Sequence, residues 1–133
     1  MFSWLRQRQA RRDAEAFARL MGMRDRAANA TTRIVFVQHV YQRAHRGTKA
    51  FVVCDDTHEQ RDAWFWWFRA EPGQMAAVRA LSGWGPHNRR DDVLYIGGEH
   101  TGSGVCELLP AKDVARAKRY YERMRMGPNK AEA

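Results

Sequence analysis

Cysteine is scarce. The 133 residues hold two, Cys54 and Cys106, too few for the disulfide framework that small secreted domains use in place of a large core. Each lies in an apolar run, where a free thiol behaves as a small hydrophobe, so both are expected to be reduced and buried. Neither Cys54-x3-His58 nor His100-x5-Cys106 has the close ligand spacing of a zinc knuckle, and no metal site is assigned. Long hydrophobic runs are missing too. The longest uncharged apolar stretches reach about six residues, against the ~18 that a membrane span needs. No membrane association is expected, and a cytoplasmic setting follows by elimination. Asp13, Glu15, Asp25 and a single serine argue against reading the Arg-rich start as a transit peptide.

Catalytic signatures are equally sparse. The glycine-rich stretch 97–104 lacks the Gly-Lys-Ser/Thr ending of a phosphate loop and the spacing of a dinucleotide fingerprint. Ser103 does not complete a nucleophile elbow. The pairs Asp55-Asp56 and Asp91-Asp92 have no downstream Glu-x-Lys, and strand-end aspartates are common turn formers. No catalytic residue and no cofactor are assigned, and a binding protein is preferred over an enzyme.

What the chain does have is a core. Apolar residues make up 44% and aromatics 11%, and a chain of this length buries roughly two-thirds of its unfolded surface. Residues 6–28 have the period of an amphipathic helix, with Ala10, Ala14, Phe17, Met21 and Ala28 on the apolar face. Arg33–Tyr41 and Ala50–Cys54 predict a hairpin around a turn at 44–47, with Val35, Val37, His39 and Tyr41 sharing one face. The run Trp64-Phe65-Trp66-Trp67-Phe68 suits a central strand, because aromatics pack well on a pleated sheet. Thr57 and Gln60 have the competing spacing of a helix capping box. Alternation would place Trp64, Trp66 and Phe68 on one face and Phe65 and Trp67 on the other. Both faces then need cover, from a helix on each side or from a homodimer.

Pro72 to Leu81 fits a helix through Met75, Val78 and Leu81, with Gly83 as its stop. Val93–Ile96 and Val105–Leu109 predict two strands joined as a hairpin through 97–104. Residues 110–126 predict a last helix with Val114, Ala117, Tyr121 and Met124 as core stripe, and 128–133 a frayed tail. No repeat or linker divides residues 1–133. The order α-β-β-β-α-β-β-α predicts a single α+β domain, a mostly antiparallel sheet of about five strands with three helices.

The net charge of +8 is concentrated at the two ends. Residues 1–33 carry eight arginines against three acids, and 111–133 carry seven cations against three acids, while 34–110 is close to neutral. Nineteen of the 23 cations are Arg, whose planar fork suits phosphate. Lys112, Arg116, Arg119 and Arg123 form a stripe opposite the apolar stripe of the last helix. Arg8, Arg12 and Arg19 do the same on the first. Such rows can neutralise successive phosphates. In the loop 83–90, Trp84 beside Arg89 and Arg90 sets an aromatic among cations, a combination that stacks bases and holds a backbone. The expectation is a non-enzymatic accessory protein that binds DNA or RNA by its phosphates through these residues. The competing expectation is a protein-interaction module, an inhibitor or adaptor, whose aromatics and basic helices meet an acidic protein surface.

Overall fold

The computed structural model describes residues 2–82 and 92–131, with backbone alone at 81–82 and 128–131. The elements are α1 (Ser3–Ala28), β1 (Arg33–Ala44), β2 (Gly47–Cys54), β3 (Gln60–Trp66), β4 (Met75–Val78), β5 (Ala80–Ser82), β6 (Val93–Ile96), β7 (Val105–Leu109) and α2 (Ala111–Ala131). The α+β class is the expected one. Instead of five strands and three helices, the described residues form seven strands and two helices, and the sheet is mixed.

β1 and β2 form the expected hairpin, closed by a two-residue His45-Arg46 connection with Ala44 opposite Gly47. Glycine is required at 47 by close approach, since a Cβ there would lie 1.9 Å from the Phe65 carbonyl oxygen on β3. Register shifts between Val37 and His39 and between Val40 and Gln42 bend β1 and break its period of two. Val35 and Val37 therefore point into the core, while His39 and Tyr41, expected on the same face, are exposed.

β3 is the central strand that the aromatic run predicts, antiparallel to β2 and parallel to β6. Phe65 is fully buried on one face, and Trp64 and Trp66 meet edge-on at 5.2 Å on the other. The alternation stops at Trp67, whose φ of 52° is left-handed and costs a bulky residue about 1–3 kcal/mol. That turn sends Phe68 back onto Phe65, 5.8 Å between ring centres, and not beside Trp64 and Trp66.

Where Met75, Val78 and Leu81 predict a helix, the chain is extended. Met75, Ala76, Ala77 and Val78 are all buried, Met75 and Ala77 toward the helices, Ala76 and Val78 into the opposite core. A strand covered on both faces is apolar throughout, and a short apolar run looks alike in either conformation.

The strand order is β5-β6-β3-β2-β1-β4-β7. Only Arg79 separates β4 from β5 although they sit far apart in that order, so the sheet curls into a half-barrel. Val35, Val37, Val52, Phe65, Val78, Leu94 and Ile96 fill its interior. The curl covers the second sheet face, which would otherwise call for another helix or a second copy. β6 and β7 are not a hairpin: β6 pairs with β3 and β5, and β7 with β4. The glycine-rich segment crosses between them and clasps the β4–β5 junction. The Gly97 N–H donates to the Arg79 carbonyl (3.1 Å), and the Arg79 N–H to the Gly104 carbonyl (2.8 Å).

Both helices cover the outer face of β1, β4 and β7 through Ala16, Leu20, Met23, Ile34, Met75, Ala77, Leu109 and Ala117. α1 buries Asp13, Ala16, Leu20 and Met23, about one residue out of phase with the expected face, and Met21 and Ala28 are exposed. On α2, Ala117 is buried, but Tyr121 and Met124 are 52% and 64% exposed. Gly127, at φ 75° and ψ 161°, interrupts α2 where the Gly-Pro pair predicts a stop. The backbone then resumes a helical turn through Ala131, in place of the expected tail.

Candidate nucleic-acid interface

The phase of α1 is set by a charge. Asp13 is fully buried and accepts from Arg119 (3.1 Å) and Arg123 (3.0 Å) of α2. Arg19 of α1 and Arg116 of α2 both reach Asp113, at 3.1 and 3.0 Å. Phe17 packs on Tyr120, 4.9 Å between ring centres. The helices are therefore antiparallel, and α2 turns its arginine stripe toward α1. A pattern that counts only apolar residues places Asp13 in solvent, which is why both helix faces come out rotated from expectation.

The cations divide into engaged and free. Arg119, Arg123 and Arg19 are held in interhelical ion pairs, and Arg116 pairs with Asp113 within α2. Arg24 grips Asp55 with two hydrogen bonds (2.9 and 2.8 Å), and Arg26 grips Glu107. The Arg26 guanidinium holds the Glu107 carboxyl below its usual range. Asp56 takes Arg33, so the Asp55-Asp56 pair is occupied by arginines. Among the described residues no group of three or more His, Cys, Asp or Glu could hold a metal ion. Cys54 is buried, its thiol pushed up by desolvation. Cys106, expected buried, is exposed because β7 is an edge strand and its side chains alternate.

The free cations lie elsewhere. Arg8 and Arg12, two of the residues singled out from sequence, are exposed with no ion pair among the described residues, and so are Arg6 and Arg11. Lys112 is exposed and unpaired in the same sense. Trp84, Arg89 and Arg90 lie outside the described residues. Asp13 is the first fully buried residue of α1 and Ala10 is already half-buried, so the part of this N-terminal arm that is exposed throughout is the first seven residues, about 10 Å at 1.5 Å each. This arm carries Phe2, Trp4 and Leu5 exposed at its start and no acidic residue before Asp13. The signal for it was present in the sequence, as four arginines within seven residues, but helical periodicity sorted them by face and singled out only two.

No protein-family model matches the chain, and no curated protein or solved structure does either. No helix among the described residues is long and apolar enough to cross a membrane. The functional reading therefore rests on the surface itself.

Proposed function

We propose that the protein is a nucleic-acid-binding accessory protein that grips backbone phosphates with the first three turns of α1, through Arg6, Arg8, Arg11 and Arg12, with Lys112 in support. The observation that carries this reading is the contrast between the helices. α2 spends Arg116, Arg119 and Arg123 on Asp13 and Asp113 and Arg125 on Glu122, whereas α1 leaves four unpaired among the described residues, on an arm without a compensating acid. Exposed guanidiniums release counterions when they meet phosphates, and each contact makes log K fall with log salt by about 0.9 for duplex DNA. Four contacts give a slope near −3.6. Arginine arms of this kind fix position on a backbone and carry no sequence information of their own.

The test is a salt titration of binding to random-sequence DNA and RNA, for wild type and for Arg6, Arg8, Arg11 and Arg12 all changed to Gln. Wild type should bind with a slope of about −3 to −4, and the quadruple variant should lose most of it with its melting unchanged. Absence of salt-dependent binding at low ionic strength would remove the proposal.

A second reading has its own observation. Phe2 and Leu5 continue the three-and-four spacing of the stripe that α1 buries further on, and both are exposed, as are Met124 and Met126 of α2. An apolar stripe at this spacing suits an acidic, amphipathic protein partner. Phe2→Ser with Leu5→Ser would abolish that docking and leave phosphate binding near wild type.

A further inference from the structure

We infer that the pocket beside Trp67 takes an unpaired nucleotide, with the base against the indole and the phosphate on the neighbouring guanidiniums. This rests on the nucleic-acid reading and narrows it to single strands. The pocket, about 250 Å³, lies between the β1–β2 turn and the segment after β3, and Arg43, His45, Trp67 and Arg69 are among its lining residues.

Trp67 is 45% exposed, although its neighbours Phe65 and Trp66 are buried. Its left-handed backbone is tied by its N–H to the Arg46 carbonyl (2.7 Å), and its indole Nε1–H donates to the Glu99 carbonyl (2.8 Å). The ring is thus fixed at its edge while half of it stays open to solvent. A pre-oriented aromatic surface of this kind stacks any base. The charge beside it has the matching sign. Among the described residues Glu71 alone serves both Arg43 (3.0 Å) and Arg69 (3.1 Å), which leaves one positive charge at the mouth in excess there. Arg69 is largely exposed, and exposed pairs exchange readily for a better anion. Arg forks prefer phosphate geometry, and exposed His45 stands in the same rim. Stacking on the ring needs a base face free of its own neighbours, which bases within a duplex do not offer.

Trp67→Gly is the informative variant. It deletes the ring and supplies the residue that best tolerates the left-handed backbone, so the fold is retained. Binding of a labelled thymidine oligonucleotide should weaken roughly tenfold or more, while binding of a blunt DNA duplex stays at wild type. Arg69→Glu should act in the same direction, and it provides the comparison if Trp67→Gly melts too low to assay. Equal single-strand affinity in wild type and both variants overturns this site. If the α1 arm variant still loses binding in that case, the proposed function survives without it. If wild type binds neither polymer, the proposed function fails and the pocket is decided by a nucleoside monophosphate. Movement of the Trp67 indole N–H resonance at millimolar ligand supports the site, and an unmoved resonance overturns it.

Discussion

Deleting the carboxylate of Asp13 probes the interhelical clasp directly. The side chain is fully buried and accepts from Arg119 and Arg123, both about half exposed. Desolvating a carboxylate costs several kcal/mol, and pairing offsets that only when the geometry is good. Asp13→Ala removes both contributions and strands no buried charge, because the two guanidiniums can rehydrate. What is lost is three hydrogen bonds between charged groups, one of them long at 3.4 Å, each worth at most about 1.5–3 kcal/mol, less the desolvation that is no longer needed. The net loss should be about 1.5–3 kcal/mol, below the 3–5 kcal/mol seen when the surviving partner stays buried. At roughly 3–5 °C per kcal/mol for a chain of this size, Tm should fall by ~5–15 °C. A double-mutant cycle supplies the control. Arg119→Gln and Arg123→Gln should each destabilise the wild type, yet change the Asp13→Ala protein by less than about 0.5 kcal/mol. The same variant frees two arginines for phosphate, so its salt slope should steepen by about 0.9 per new contact. A melt unchanged from wild type, or Arg→Gln losses that add in full to Asp13→Ala, would refute the clasp.

Three further outcomes follow from the geometry. Glu107 has a depressed folded pKa because of Arg26, so the pair's contribution is present above the unfolded carboxyl value of about 4.3. It is lost as pH falls through the lower folded value, and comparing Glu107→Gln with wild type in acid melts should show the two curves converging there. Cys106 should react with a thiol reagent in the native state while Cys54, buried with a raised pKa, reacts only on unfolding; the reverse order would contradict the register of β7. Gly47→Ala drives a Cβ into the Phe65 carbonyl and should cost about 1–3 kcal/mol by overpacking, read from a denaturant midpoint.

The sequence disclosed what alternation and helical period can encode. The β1–β2 hairpin, the central aromatic strand, both strands after residue 92 and the two terminal helices are all visible in that way. The segment 75–82 misled because four consecutive buried residues carry no alternation, and two of them, Met75 and Val78, fall with Leu81 on a helical face. The helix phases misled because Asp13 and Asp113 are buried with arginine partners more than ninety residues away in the case of Asp13, a long-range pairing that local pattern cannot register. The arginines of α2 stood out for their regular spacing, yet that regularity comes from matching the aspartates of the interhelical seam. The free arginines of α1 are less regular, and their value became visible only once burial showed where the body of the protein begins.

With Arg79 as the sole residue between β4 and β5, the half-barrel β5-β6-β3-β2-β1-β4 is closed into a ring by the chain itself, every other step being a hydrogen-bonded seam. Rupture of any one seam leaves every member of that ring held by its other neighbour, so the sheet has no place there from which to unzip. Independent fraying is left to β7, which has one strand partner among the described residues, and to the α1 arm. The seams that complete the ring join residues 33–36 to 75–78 and 62–65 to 93–96. Such sequence-distant contacts form late and slowly, so the ring should be gained and lost as one cooperative unit.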